Sequence, residues 1–255
     1  MSTTIDLNLD AGESKAALLD GSEEALYQLV SSVNVACGGH AGDEETMRTA
    51  IQLARRYGLR IGAHPSYPDR AGFGRHRIEI SDSDLYLSLR DQILRLNSVA
   101  QECGAALSHV KLHGALYHDA ADHPHLARLV LEVLRAVDPS LEIVGRSGSL
   151  FINLFRSEGF TVYQEAFVDR RYEVDGLLRS RDLPGALIHN PDEAAEQALR
   201  LARGESLSTA EGVRICVPAD TLCIHGDGVS ALLIARAVRL RLEKAGYAVA
   251  PRNHL

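Results

Sequence analysis

IDLNLDAGE, residues 5–13, puts Ile5, Leu7 and Leu9 on one face of an extended segment and Asp6, Asn8 and Asp10 on the other. That split follows from side chains alternating along a strand. A barrel strand ordinarily carries apolar residues inward, so two carboxylates and an amide on one face need partners to be buried at all. The strand therefore marks both the fold and the place where its chemistry begins.

Six further runs resemble this first one, Ile5–Asp10. They are Val33–Cys37, Leu59–His64, Leu107–His113, Leu141–Val144, Thr161–Glu165 and Leu222–His225. Between them lie apolar positions at helical spacing, such as Met47, Ile51, Ala54 and Tyr57, or Leu85, Leu89, Leu96 and Val99. Ser81 with Asp84, Asn190-Pro191 and Gly204 supply the caps and stops that such helices need. Strands alternating with helices imply a parallel sheet, open or closed into a barrel. The chain has 255 residues, and a single α/β barrel takes about 250, so one domain spanning 1–255 is expected.

With 27 basic and 34 acidic residues the net charge is −7, and no five like charges stand together. Nucleic acid and a polybasic membrane surface are therefore not expected partners. No apolar window is long enough to span a bilayer, and MSTTIDLNLD does not read as a leader. Cys37, Cys103, Cys216 and Cys223 form no C-x-x-C pair, so they read as reduced thiols of a cytoplasmic protein.

Chemistry gathers where the strand runs end, as it does in barrels. His40 and Asp43 follow the second run in NVACGGHAGD, although Asp43 before Glu-Glu-Thr-Met also reads as a helix cap. His64 ends the third, ahead of Asp69, Arg70 and Arg75 in a loop rich in Gly and Pro. HVKLH sets His109, Lys111 and His113 on one face, and a lysine in an apolar strand has to meet an anion or a carboxylate. Ser108 and Lys111 match S-x-x-K, but on a strand they point to opposite faces, against a serine nucleophile. EAFVDRRY adds Glu165, Asp169 and Arg170, and CIHGDG adds His225 and Asp227. Walker A, G-x-S-x-G, H-E-x-x-H and G-x-G-x-x-G signatures are absent.

Taken together, IDLNLDAGE, NVACGGHAGD, GAHPSYPD with GFGR, HVKLHGALY, EAFVDRRY and CIHGDG resemble the LamB/YcsF family of 5-oxoprolinase A subunits, from residue 5 to about 245. The resemblance implies a distorted (β/α) barrel of the glycoside hydrolase/deacetylase type with about seven parallel strands. It also implies ATP-dependent opening of 5-oxoproline to L-glutamate together with partner subunits B and C. Matching positions are Asp6, Asn8, Asp10, Glu13, Asn34, His40, Asp43, His64, Asp69, Lys111, His113, Glu165, Asp169, Arg170, His225 and Asp227. Gly39, Leu112 and His118 stand where the family usually has Phe, Pro and often Asn.

A lactam is a poor electrophile, and phosphorylating its oxygen from ATP would make a better one. On that scheme Lys111 with Arg70 or Arg170 holds phosphate or carboxylate. One of Asp10, Glu165 or Asp169 activates water, and His64, His113 or His225 protonates the ring nitrogen. Mg²⁺ would ride with ATP on carboxylates. Two other readings stand beside it. One is a divalent-metal deacetylase or amidohydrolase with Asp10, His40 and His64 as ligands; the other is a non-catalytic substrate-binding subunit.

Overall fold

The structure, a computed structural model, describes residues 3–226, 228 and 230–251. Its parallel strands are β1 (Thr3–Ala11), β2 (Ser32–Ala36), β3 (Arg60–His64), β4 (His109–Lys111), β5 (Glu142–Arg146) and β6 (Val162–Phe167). A short antiparallel hairpin of β7 (Leu207–Ser208) and β8 (Arg214–Ile215) precedes β9 (Thr221–Ile224). Because β9 pairs with both β6 and β1, the seven parallel strands close into a barrel. β10 (Tyr247–Val249) lies outside the ring, paired with residues 3–5 where β1 begins.

Around the ring run α1 (Lys15–Leu19), α2 (Ser22–Tyr27), α3 (Glu44–Arg56), α4 (Asp82–Glu102), α5 (Gly114–Asp122), α6 (Pro124–Val137), α7 (Leu150–Ser157), α8 (Pro191–Arg203) and α9 (Ala231–Lys244). Ser81 caps α4 by accepting from the Asp84 amide at 3.1 Å, and Asn190 caps α8 ahead of Pro191. Gly204 ends α8 with a φ of +66°, which glycine adopts without a Cβ penalty. Among the described residues no helix is long and apolar enough to cross a membrane.

The apolar core is a shell rather than a centre. Ile5, Leu7 and Leu9 of β1 join Met47, Ile51, Leu89, Leu96 and Leu134 in one buried cluster between strands and helices. The opposite strand faces fill the ring with polar groups that bond to one another. This arrangement inverts the usual aliphatic barrel filling, and it is what the alternation in residues 5–10 implies.

Three elements depart from the sequence expectation. β4 stops at Lys111, because His113 is already the N-cap of α5 and Gly114 turns the chain at a φ of +57°. A Cβ on Gly114 would also lie 2.3 Å from the Gly74 carbonyl oxygen, so the third and fourth loops touch there. The β7–β8 hairpin and β10 carry too few residues to show a period. All four cysteines are free; Cys37, Cys103 and Cys223 are buried and Cys216 is exposed.

Candidate active site

Residues 6, 8 and 10 of β1 set three polar layers inside the ring. Lowest, Asp6 accepts from Ser31 Oγ at 2.7 Å, Ser32 Oγ at 2.9 Å and Thr221 Oγ1 at 2.5 Å. Burial outweighs these bonds and raises its pKa. In the middle, Asn8 Nδ2 donates to Thr221 Oγ1 at 2.8 Å, Asn34 Nδ2 donates to Asn8 Oδ1 at 2.9 Å and His109 Nε2 donates to Asn34 Oδ1 at 2.8 Å. Burial pushes the His109 pKa down to about 3, so its ring is a neutral donor at physiological pH.

The top layer is charged. Lys111 Nζ lies 2.9 Å from Asp10 Oδ1 and 2.7 Å from Glu165 Oε1, and donates to Asn8 Oδ1 at 3.2 Å. Burial opposes the charge on Lys111, but the two carboxylates outweigh it and hold the ammonium well above its ordinary pKa. Burial likewise opposes ionisation of Asp10; His64 and Lys111 overcome it and keep this carboxyl well below the usual range. The anions that a strand lysine requires are therefore Asp10 and Glu165. With its charge balanced twice, Lys111 holds the two carboxylates together at the cleft lining.

Beside this layer stands a histidine cluster. His64 Nδ1 donates to the Lys111 carbonyl at 2.8 Å, and His113 Nε2 donates to the Phe73 carbonyl at 3.0 Å. A carbonyl can only accept, so these bonds turn His64 Nε2 and His113 Nδ1 toward each other, 3.0 Å apart. Glu13 Oε1 sits 3.2 Å from His113 Nδ1, 3.9 Å from His64 Nε2 and 2.9 Å from His40 Nε2. His40 stacks on His113 with centroids 3.6 Å apart and planes 3° from parallel. Burial lowers the His40 pKa to about 4, although Glu13 works the other way. Phe73 holds its carbonyl over this cluster from a left-handed φ of +55°, which is uncommon for a non-glycine residue.

On the far wall, Asp169 accepts from the His225 amide at 2.9 Å and from His225 Nδ1 at 2.8 Å. Burial opposes its ionisation, and the His225 contacts more than offset it to lower its pKa. Phe167 bridges the two walls, its ring 5.5 Å from that of His225 and 5.7 Å from Lys111 Nζ. Arg170 is buried and donates from Nη2 to the Arg179 carbonyl at 2.6 Å. Its Nε has no hydrogen-bond partner among the described residues. Asp10, Glu13, His64, Lys111, His113, Arg170 and His225 all line one cleft of about 1100 Å³.

Several expected site residues are engaged elsewhere. Asp43 is the N-cap of α3 and forms a full capping box with Thr46, so its carboxylate serves the helix. Arg70 ties two loop carbonyls, Gly38 at 3.2 Å and Gly42 at 2.8 Å, and Asp69 accepts from the Gly72 amide at 2.8 Å. These three are absent from the cleft lining. Asp6, Asn8 and Asn34 lie beneath the cleft as the buried layers that support it. Asp227 lies outside the described residues. Of the Asp10–His40–His64 set, Asp10 meets Lys111 through Oδ1 and lies 3.3 Å from His64 Nε2 through Oδ2, while the ligand atoms of Glu13, His40, His64 and His113 all lie within 4.8 Å of one another.

Sequence reasoning missed Glu23. It lines the cleft and accepts from the Gly12 amide at 2.8 Å and from Tyr27 Oη at 3.0 Å. Burial raises its pKa to about 7. An acid on an amphipathic turn carries no signal of this kind. Gly39 is also accounted for: a Cβ there would lie 2.4 Å from Gln92 Oε1 and 2.5 Å from Ser66 Oγ. Gln92 fills that space and clamps the third loop, accepting from the Ser66 amide at 3.0 Å and donating to its carbonyl at 2.9 Å.

The sequence profile of the LamB/YcsF family matches residues 5–255. The A subunit of the Bordetella pertussis 5-oxoprolinase is 45% identical over 249 residues, covering 98% of this chain and 99% of that one. The crystal structure of the lactam utilization protein from Thermus thermophilus superposes with a TM-score of 0.90 at 40% identity, covering 98% of this chain and 100% of the other. The catalytic domain of a peptidoglycan N-acetylglucosamine deacetylase from Eubacterium rectale shares the fold, with a TM-score of 0.51 at 12% identity over 99% of this chain and 90% of that one.

Proposed function

The chain belongs to the LamB/YcsF family, and from that membership we propose that it is the A subunit of a cytoplasmic, ATP-dependent 5-oxoprolinase acting with subunits B and C. Supporting this reading are relatives named for 5-oxoprolinase and for lactam utilization. One observation within the cleft carries it furthest. Asp10 is held ionised by His64 and Lys111 on one wall, and the Asp169–His225 pair stands on the other.

The reaction divides into steps that these groups serve. The lactam oxygen takes the terminal phosphoryl group of ATP, with Mg²⁺ accompanying the nucleotide, and ADP leaves. Water then adds to the activated carbon and gives its proton to Asp10. The C–N bond breaks as His225 Nε2 protonates the nitrogen, and Asp169 stabilises the imidazolium that donates. The open product is an acyl phosphate, which a second water converts to L-glutamate and phosphate. A carboxylate of low pKa is a weak base, so it needs an activated electrophile, and ATP coupling supplies one. Arg170 offers its unused Nε–H to the substrate carboxylate or the phosphoryl oxygens.

The test is glutamate and phosphate release by the assembled A–B–C complex. Asp10→Asn is expected to lower kcat by about 100-fold or more, the range of general acid–base contributions. Full coupled release by the Asp10→Asn complex would remove the water-activation role. Absence of glutamate from the wild-type complex would remove the lactam reading.

A further inference from the structure

The bonds around His64 and His113 gather ring nitrogens and carboxylate oxygens about one point beside the cleft. Each ring donates one proton to a backbone carbonyl, so His64 Nε2 and His113 Nδ1 face the same point at 3.0 Å separation, with Asp10 Oδ2 3.3 Å from His64 Nε2. Glu13 aims a carboxylate oxygen at that point as well. Two ring nitrogens and the carboxylates of Glu13 and Asp10 converge there, an arrangement that needs positive charge at its centre, supplied by a ring proton or by a metal cation in its place.

The spacing suits a metal. The three sides of the His64 Nε2, His113 Nδ1 and Glu13 Oε1 triangle are 3.0, 3.2 and 3.9 Å. The point equidistant from all three atoms lies about 2 Å from each, where zinc–imidazole and zinc–carboxylate bonds fall. Ligand atoms in a tetrahedral zinc site are about 3.3 Å apart, within the span of these sides. His40 completes the group, all four ligand atoms lying within 4.8 Å of one another. Its ring is stacked parallel to His113, however, so an ion in the plane of His113 lies out of the plane of His40. His40 instead holds Glu13 through its 2.9 Å contact.

We propose that Glu13, His64 and His113 bind one transition-metal ion of the zinc class, with His40 positioning Glu13 and a fourth coordination position open toward the cleft. Two imidazoles and one carboxylate favour zinc and its neighbours over magnesium or calcium, which prefer all-oxygen shells. The Lys111 and Phe73 carbonyls act as the outer partners that fix the tautomer of metal-bound histidines. Glu13 and His113 come from the loops after β1 and β4, and His64 ends β3, so the ion would lock three strand ends together. The site stands on this geometry whether or not the substrate is a lactam.

The test uses the full chain without an affinity tag, purified without chelator. Elemental analysis is expected to find close to one zinc-class ion per chain. After chelator treatment, Zn²⁺ or Co²⁺ should raise the melting temperature where Mg²⁺ at the same concentration does not. Bound Co²⁺ should show the intense visible bands of a four-coordinate nitrogen and oxygen site. His64→Ala and His113→Ala are expected to abolish stoichiometric binding. His40→Gln should weaken it by about 10- to 100-fold, as loss of an outer-shell partner does. Far-UV circular dichroism establishes that each variant folds, and the cobalt spectrum of the wild-type chain serves as a readout that needs no variant. Wild-type protein that takes up neither Zn²⁺ nor Co²⁺, or binding that survives the His64→Ala, His113→Ala double change, would overturn the proposal. None of these readouts involves turnover, so they separate failure of the metal site from failure of the 5-oxoprolinase reading.

Discussion

Lys111 illustrates how residue type alone can point to a partner class without naming the partner. A lysine among strand residues has to be neutralised, and the sequence offered either a ligand's phosphate or carboxylates of the chain. The structure supplies the carboxylates, which come from strands β1 and β6 across the ring. Replacing Lys111 with Met should therefore act first on stability. Two buried carboxylates lose their counter-charge, at a cost of about 3–5 kcal/mol for breaking a buried pair, read as a lower urea midpoint at pH 7. An unchanged midpoint would mean that Asp10 and Glu165 are balanced by something else. Glu23 gives a prediction with the opposite pH sense to most acids. Its folded pKa of about 7 lies above the ordinary 4.5. The folded state therefore holds the proton more tightly, and stability present below pH 4.5 is lost as pH rises through 7. The full loss is about 3 kcal/mol by the 1.36 kcal/mol-per-unit rule. Glu23→Gln keeps an acceptor for the Gly12 amide and removes the titration. Its melting temperature relative to wild type should be higher at pH 8 than at pH 5; a constant difference would refute the assignment.

At the level of elements, the strand runs were legible because each is a buried apolar stretch, five of the seven ending on an Asp, His or Glu. That same feature made Asp10, His40, His64, Lys111 and His113 readable as one group. Glu13 entered only through family resemblance, since a residue in a loop carries no periodic signal, and its place beside three histidines depends on three strands meeting. Asp43 had two readings in the sequence, cap and site residue, and α3 uses it as a cap. Gly62 looked unremarkable within RIGAH, yet it decides how β3 and β4 fit. A Cβ there would lie 2.2 Å from His109 Nε2, in the middle polar layer. Gly62→Ala has no backbone strain to relieve, so the whole penalty is steric. Overpacking of this kind costs about 1–3 kcal/mol, with added loss if His109 turns away from Asn34. Equilibrium urea unfolding measures it, and a variant as stable as wild type would mean that His109 has room to move.

Across the whole molecule, hydrophobic burial and polar pairing occupy separate regions. The apolar shell between strands and helices holds the fold, and the barrel interior is left to carry charge up to the cleft. The cleft mouth lies at the strand C-termini, while β10 pairs with the start of β1 at the other end. The cysteines divide along the same axis. Cys223 lies inside the ring with its Sγ 3.3 Å from Lys111 Nζ, and burial raises its thiol well above the ordinary pKa. Burial also pushes Cys37 up to about 12, and Cys103 is enclosed as well. Reactivity toward thiol reagents follows thiolate and access, so the native chain should titrate as one fast thiol, with the other three released on unfolding. Two or more fast thiols would contradict this burial pattern. Cys216 precedes β9 at the end where strands start, away from the mouth. It is thus a natural point for attaching a single fluorophore without engineering. A dye placed there would report the chain's tumbling, and hence any proposed association with subunits B and C, from a point away from the cleft.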